Sequence, residues 1–197
     1  MDSETDKYYI KQVLEGKINA FSYLVDRHKD KAYNLAFRIC GNCEEAEEVA
    51  QDAFMKAYRS LKNFRMKSSF ATWLYRIVYN TAISLVRNRR KGVLSLEEFP
   101  ADAVDFLGIN KTEDEAVEDY RNSLVNFALQ KMNDEERGLI TLYYYNDLDT
   151  EEISQITGVK KSNVKVRLFR ARQKMAEIIR KVEKKHVFYD EQTGTVR

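Results

Sequence analysis

Cationic, aromatic and hydroxyl side chains alternate in one stretch of the chain, Asn63-Phe-Arg-Met-Lys-Ser-Ser-Phe-Ala-Thr-Trp-Leu-Tyr-Arg76, with Asn80 one helical turn further on. Aromatic rings stack on unpaired bases and cations bind phosphates, so this stretch is typical of a site for single-stranded nucleic acid. A purely structural role remains open for part of it. The structural alternative is a place in a helical core for Trp73 and a solvated surface for the cations. Phe64 and Phe70 are compatible with either role.

A second set of residues predicts binding to duplex DNA. A short helix begins at Asp149 or Thr150, where Glu152 completes a capping box, and runs to Gly158, which supplies the positive φ of a tight corner. A basic helix from Ser162 to about Lys185 follows, which is the pattern of a helix-turn-helix. The rotation per residue of a helix identifies the outward side chains of this basic helix, which lie opposite its apolar stripe. The candidate base-reading and phosphate-binding residues are Ser162, Lys165, Val166, Arg167, Phe169 and Arg170. The alternative is a solvated basic face, but an outward Phe169 among cations favours a covered surface.

The two cysteines form a single Cys-x-x-Cys motif, Cys40-Gly-Asn-Cys43. Structural zinc takes four ligands and no second pair exists, so no metal is predicted. A structural or incidental role is favoured, and a redox role of Cys40 and Cys43 at the helix end stays as a hypothesis. Paired catalytic carboxylates, nucleophile motifs and phosphate-binding loops are likewise missing from the sequence, so neither an enzyme nor a cofactor is predicted.

Composition and charge define the elements that carry these sites. Seven glycines and one proline in 197 residues favour long helices over sandwiches and barrels. The net charge is +6 over residues 1–91, −8 over 92–119 and +4 over 120–197. Two basic bodies joined by an acidic connector are therefore predicted. The acidic N-terminus and the lack of a long apolar run predict a cytoplasmic protein.

Helical periodicity runs through both basic bodies, so the predicted fold is all-α with two helical domains. The predicted division is a domain over 1–91, an acidic linker over 92–119, a helix-turn-helix domain over 120–187 and a tail over 188–197. Gly41 is predicted to end one helix, and Asn133 with Glu136 is predicted to begin another. Gly138 lies inside that helix at a cost of about 1 kcal/mol relative to Ala, and the sequence gives no reason for it.

The order and spacing of several motifs resemble the extracytoplasmic-function sigma factors of bacterial RNA polymerase. The matching stretches are Phe21-Ser-Tyr-Leu-Val, the segment Glu44 to Tyr58, Phe70-Ala-Thr-Trp-Leu-Tyr-Arg-Ile77 with Asn80, Thr150-Glu-Glu-Ile-Ser154, and Arg167-Leu-Phe-Arg-Ala-Arg172. They cover nearly the whole chain. The resemblance implies that 1–91 is sigma domain two and 120–187 is sigma domain four.

The resemblance also implies a role for each candidate residue. Docking on the β′ clamp helices of core polymerase is implied for Glu48, Gln51, Asp52 and Met55. Recognition of the −10 element and strand separation are implied for Asn63, Phe64, Arg65, Ser68, Ser69, Phe70, Trp73, Arg76 and Asn80. Recognition of the −35 element is implied for the outward face of the last helix, above all Lys165, Val166, Phe169 and Arg170. The acidic linker would thread toward the active-site channel of the polymerase.

The implied partners are core polymerase, through its β′ clamp helices and β flap, promoter DNA, and an anti-sigma factor of the kind that in many cases holds such proteins at the membrane. One departure concerns Met66-Lys67, where many family members carry glycine and an acid, so the loop conformation and −10 preference are expected to differ. The rival interpretation is a dimeric helix-turn-helix regulator that binds a palindrome without polymerase.

Overall fold

The computed structural model describes residues 2–92 and 113–193, with side chains described over 4–90 and 120–183, and every regular element in these ranges is helical. The N-terminal domain contains α1 (Asp2–Leu14), α2 (Phe21–Cys40), α3 (Cys43–Ser60) and α4 (Phe70–Gly92). The C-terminal domain contains α5 (Glu113–Gln130), α6 (Asp134–Tyr144), α7 (Thr150–Thr157) and α8 (Lys161–Thr193). The prediction of an all-α fold is confirmed.

Local signals in the sequence define most helix ends. Gly41 ends α2 with a left-handed φ of 74°, and the side chain of Asn42 caps α3 by accepting from the Glu45 amide at 3.0 Å. Capping boxes begin α6, with Asn133 and Glu136, and α7, with Asp149 and Glu152. These predicted caps are confirmed, because they depend on residues within one helical turn.

Three features differ from the sequence-based expectations. Helix α1 was not predicted as a separate element. Helix α5 begins at Glu113, inside the predicted linker, and residues 93–112 of that linker lie outside the described residues. Helix α8 continues to Thr193 through most of the predicted tail, since the chain has no glycine or proline between Gly158 and Gly194.

Packing places the helices of both domains around one apolar cluster within the described residues. In the N-terminal domain α2, α3 and α4 pack on one another through fully buried side chains such as Leu35, Val49 and Leu74. In the C-terminal domain α6, α7 and α8 meet around Leu142, Ile153 and the base of α8. The cluster is continuous because α7 packs against α4, and α6 against α2. Among the described helices, none combines the length and apolarity needed to cross a membrane.

Candidate polymerase and promoter interfaces

The candidate docking face lies on the side of α3 that points away from the core. Ala46, Val49 and Ala53 are buried against the neighbouring helices, whereas the predicted docking residues Glu48, Gln51, Asp52 and Met55 are all exposed, Met55 by 51%. Within this face the Asp52 carboxylate lies 3.5 Å from the Lys56 ammonium one turn later. The face presents carboxylates beside an exposed thioether, a combination suited to a basic helix with apolar side chains.

The loop between α3 and α4, residues 61–69, combines exposed cations with partly accessible aromatic rings. Arg65 and Lys67 are exposed, and so is Asn63, whereas Phe64 is half-buried with its ring centroid 4.9 Å from that of Trp73. Trp73 is itself half-buried, so both rings keep accessible surface. Exposed cations beside partly accessible rings are the arrangement that holds unpaired bases and their phosphates.

Phe70 does not fit the predicted role in DNA contact. Its side chain is 2% exposed and packs beneath Phe64, with the His28 ring 5.4 Å away on the other side. The buried imidazole of His28 lies 3.0 Å from an Asp6 carboxylate oxygen, which connects α1 to the base of the loop. In this structure Phe70 therefore supports the loop from below, because its spacing on α4 turns it into the core.

The two serines before α4 have different surroundings. Ser69 is half-buried and caps α4, with its Oγ accepting from the Thr72 amide at 3.0 Å. The hydroxyl of Thr72 lies 2.7 Å from the same Oγ and donates to a Glu152 carboxylate oxygen of α7 at 3.0 Å. Ser68 is half-buried and donates to the Ser69 carbonyl at 3.3 Å. Sequence reasoning missed Thr72 and Glu152, since no local signal connects residues so far apart in the chain.

Arg76 and Asn80 extend the candidate surface along α4. The two residues are one turn apart and both are exposed, on the same side of the helix as Trp73. Tyr79, the residue before Asn80, points inward, and burial raises its pKa to about 12. The outer side of α4 thus continues the surface of the loop, and its DNA contacts stay a prediction.

The helix-turn-helix has the geometry that the sequence predicted. Gly158 makes the corner between α7 and α8 with a left-handed φ of 72°. Val164, Leu168 and Ala171 are buried, and the six predicted −35 residues (Ser162, Lys165, Val166, Arg167, Phe169 and Arg170) are all exposed. Val166 and Phe169 are 47% and 56% exposed. This recognition face therefore combines apolar groups with cations, as base-edge and phosphate contacts require.

Ion pairs at the edge of the recognition face hold some of its cationic side chains in place. Arg167 donates to a Glu135 carboxylate oxygen of α6 at 3.1 Å, so its guanidinium is held toward α6. Lys161 pairs with Glu151 at 2.9 Å, which raises the pKa of this exposed ammonium. No ion pair is described for Lys165 or Arg170, which leaves both side chains of this part of the chain accessible to DNA.

Met66 occupies a backbone conformation that favours glycine, with φ of 53°. The family resemblance led us to expect a change in the loop at this position, and here a methionine adopts the left-handed conformation that glycine adopts without strain. We expect Met66→Gly to raise the free energy of unfolding by about 0.5–1 kcal/mol, because it removes the left-handed strain of an L-residue at a largely exposed position. Urea denaturation measures this free energy of unfolding. Met66→Ile is the matched control and should lower the stability of the protein. A lower stability of the glycine variant would contradict the expectation.

The two cysteines differ in accessibility, with Cys40 buried and Cys43 exposed. Burial raises the pKa of the Cys40 thiol to about 11, so its reactive thiolate is scarce near neutral pH. We expect iodoacetamide at pH 8 to alkylate Cys43 in the folded protein and leave Cys40 unmodified, as read by mass spectrometry of peptides. In urea both should react. Equal rates in the folded protein would contradict this difference in reactivity, and the redox role of the pair stays a hypothesis. Over the described residues, no group of three or more potential ligands could hold a metal ion.

Together these features define a class of protein: an all-helical protein with a helix-turn-helix in one domain and, in the other, an exposed acidic helix face followed by a loop of cations and aromatic rings. Comparison with known families agrees. The Sigma-70 region 2 family matches residues 24–92, and the Sigma-70 region 4 family matches residues 124–175. The chain belongs to the extracytoplasmic-function sigma factors of RNA polymerase, and the dimeric regulator is not favoured.

Relatives of known name cover nearly the whole chain. It is 33% identical to the ECF RNA polymerase sigma factor SigW of Bacillus subtilis, over 88% of this chain and 96% of that protein. It is 32% identical to the ECF RNA polymerase sigma-E factor of Escherichia coli K12, over 86% and 91%. The fold is similar to that of CnrH in complex with the cytosolic domain of CnrY, with a TM-score of 0.65 at 22% identity, covering 89% of this chain and 97% of CnrH.

A second solved structure shares the fold. The sigma factor RpoE, in complex with the anti-sigma factor NepR from Bartonella quintana, matches with a TM-score of 0.62 at 23% identity. That match covers 81% of this chain and 96% of RpoE. The fold of both domains is therefore one that solved sigma factors share.

Proposed function

We propose that this chain directs core RNA polymerase to its promoters by means of three separate surfaces. The docking face of α3 binds the β′ clamp helices, the 61–69 loop with the outer side of α4 opens the −10 element, and the recognition face of α8 reads the −35 element. One observation carries the proposal: the docking face and the cation-bearing loop lie on consecutive elements of one packed domain. A dimeric regulator needs neither.

Docking on polymerase comes first in this mechanism. Glu48 and Asp52 supply negative charge toward a basic partner helix, and Met55 supplies an adaptable apolar contact at the same face. Because α3 is rigidly packed through its alanines, the loop that follows it is placed at a fixed distance from the docked polymerase. Docking therefore positions the loop over the DNA that the polymerase holds.

Promoter opening is proposed for the loop and α4. An unpaired base costs a few kcal/mol to unstack from the duplex. Stacking on an aromatic ring returns about 1–3 kcal/mol per base, and Phe64 and Trp73 provide partly accessible rings for it. Arg65 and Lys67, which are exposed in the same loop, would hold the phosphates of the displaced strand. No bond is made or broken in this step, so the protein acts as a non-enzymatic specificity subunit.

The remaining partners are proposed from the family. Solved relatives of this fold are in complex with the cytosolic domain of CnrY and with the anti-sigma factor NepR. We infer that this chain too is bound by an anti-sigma factor, that it acts in the cytoplasm where core polymerase is present, and that its C-terminal domain contacts the β flap.

The test is co-elution of the purified chain with bacterial core polymerase and opening of promoter DNA, measured by permanganate reactivity of unpaired thymines. Asp52→Lys should abolish co-elution, and Glu47→Lys should not, because Glu47 carries the same charge on α3 outside the docking face. Equal co-elution of both variants would remove the docking face from the mechanism. Tight binding to duplex DNA with no co-elution of the unmodified chain would overturn the proposal.

A further inference from the structure

One acidic residue, Glu135 of α6, lies at the edge of the recognition face of α8. Its carboxylate accepts from the Arg167 guanidinium at 3.1 Å, and the two side chains are 54% and 47% exposed. Both residues line a cleft of about 230 Å³ between the first turn of α6 and α8, and Arg170 lines the same cleft. A carboxylate therefore stands beside two of the cations that are proposed to contact the −35 element.

The start of α6 does not depend on Glu135. Asn133 and Glu136 form the capping box, in which Glu135 takes no part. A carboxylate in the first turn also stabilises a helix through its dipole, but the acids on either side of Glu135 already supply that charge. Within the described part of the chain, the ion pair of Glu135 is with Arg167. The specific effect of this acid is therefore on the recognition helix rather than on its own helix.

Contacts on both sides of α6 keep Glu135 at this edge. Glu136 pairs with Lys174 of α8 at 2.6 Å, which ties the first turn of α6 to the recognition helix. Further along α6, Gly138 approaches the Tyr79 ring so closely that a Cβ would lie 2.7 Å from its Cε2 atom. Since the φ of Gly138 is not left-handed, this approach and not the backbone conformation explains the glycine. The Glu135 carboxylate is thus carried by a helix of fixed position.

Pairing with Glu135 changes what Arg167 contributes to DNA binding. A cation gains affinity at a phosphate because that contact releases a condensed counterion from the DNA. Arg167 must first leave a carboxylate, which then repels the phosphate beside it. In this part of the chain no ion pair is described for Lys165 or Arg170, so their contacts with DNA carry no such cost. The pair therefore weakens one sequence-independent contact and leaves Lys165 and Arg170 accessible.

We propose that Glu135 is a specificity-determining residue of the −35 interface: it restrains Arg167 and so limits binding to duplex DNA that lacks the −35 sequence. The proposal rests on the −35 function proposed above for the recognition face. Without base contacts, the helix settles where the most cations meet phosphates, so a released Arg167 would gain a phosphate in full. With base contacts by Lys165, Phe169 and Arg170, the position of the helix is fixed and Arg167 gains less. Restraint of Arg167 therefore weakens non-specific binding more than promoter binding.

The test is binding of polymerase holoenzyme, assembled with the full chain, to a duplex that carries the −35 element and to one in which that element is scrambled. Glu135→Gln removes the charge and keeps the size of the side chain. We expect it to tighten binding to the scrambled duplex about 5-fold at low salt, and binding to the −35 duplex less than about 2-fold. The slope of log affinity against log salt on the scrambled duplex should become steeper by about 1, the value for one added phosphate contact.

A double-mutant cycle shows whether Glu135 acts through Arg167. In the Arg167→Ala background, Glu135→Gln should change neither the affinity nor the slope, because the cation that it would release is missing. An equal gain in that background would mean that the carboxylate simply repels DNA, which would overturn the proposal. Glu177→Gln is the matched control, since it removes the same charge from an exposed position of α8 about 15 Å further along the helix axis. It should leave the ratio of the two affinities unchanged.

Two results with Glu135→Gln alone would also contradict the proposal. One is an unchanged affinity for the scrambled duplex, and the other is weaker binding to the −35 duplex, which would show that Glu135 orients Arg167 for reading. Thermal unfolding of the variants controls for a loss of fold, since an exposed ion pair contributes little to stability. Failure of the proposed −35 function has a different signature: the parent holoenzyme itself would bind the two duplexes equally, and the specificity role of Glu135 would fall with it.

Discussion

Replacing Arg170 by alanine is expected to weaken recognition of the −35 element by about 1–3 kcal/mol, or roughly 5- to 150-fold in affinity, if the guanidinium contacts base edges. Arg170 is exposed on the recognition face next to Phe169, whose side chain is 56% exposed. The buried stripe of α8 does not include it, so the fold should be unaffected. Binding is measured with polymerase holoenzyme on promoters that carry or lack the −35 element.

Arg172→Ala is the matched control for this prediction. It removes the same charge from the same helix, but the guanidinium of Arg172 is engaged within the protein, donating to the Leu168 carbonyl at 3.3 Å and to the Tyr144 hydroxyl at 3.4 Å. The salt dependence of DNA binding distinguishes a contact of Arg170 with phosphates from a contact with bases. A phosphate contact of Arg170 would lower the slope of log affinity against log salt by about 1 and weaken all sequences alike. Unchanged discrimination between promoters would contradict base reading by Arg170.

Replacing Phe64 by alanine is expected to impair promoter opening while binding to the closed duplex survives. The half-buried ring packs on Trp73 at 4.9 Å, and loss of its stacking with an unpaired base costs about 1–3 kcal/mol, or roughly 5- to 150-fold in the opening equilibrium. Permanganate reactivity of −10 thymines measures opening, and co-elution with polymerase should be unchanged.

A promoter with a pre-opened, mismatched −10 region distinguishes a role in opening from a general loss of structure. Opening of the duplex is no longer needed on this template, so most of the deficit of Phe64→Ala should disappear. Phe64→Leu is the control for packing, since it retains apolar volume against Trp73 and removes the aromatic face. If Phe64→Leu opens promoters as well as the parent chain, the ring supports the loop and does not stack on a base.

Phe70 and Ser69 illustrate why the sequence could not sort the residues of the loop. Both stand in the motif that resembles the −10 reader, and both are types that bind nucleic acid. Their actual surroundings depend on where α4 begins and on which neighbours meet its first turn. Phe70 is buried above His28 of α2, and Ser69 caps the helix through the Thr72 amide. A motif match identifies the segment that carries a function, but it does not determine which residues of that segment face solvent.

The sequence by itself determined the helical class, the helix-turn-helix, the outward recognition face and the capping residues Gly41, Asn133, Asp149 and Gly158. These follow from periodicity and from contacts within one helical turn, which are local in the chain. Only the tertiary structure decided the burial of Phe70, the hydrogen bond from Thr72 to Glu152, and the reason for a glycine at position 138. Each depends on the approach of helices distant in sequence, and that approach is set by the packing of whole surfaces rather than by any one residue.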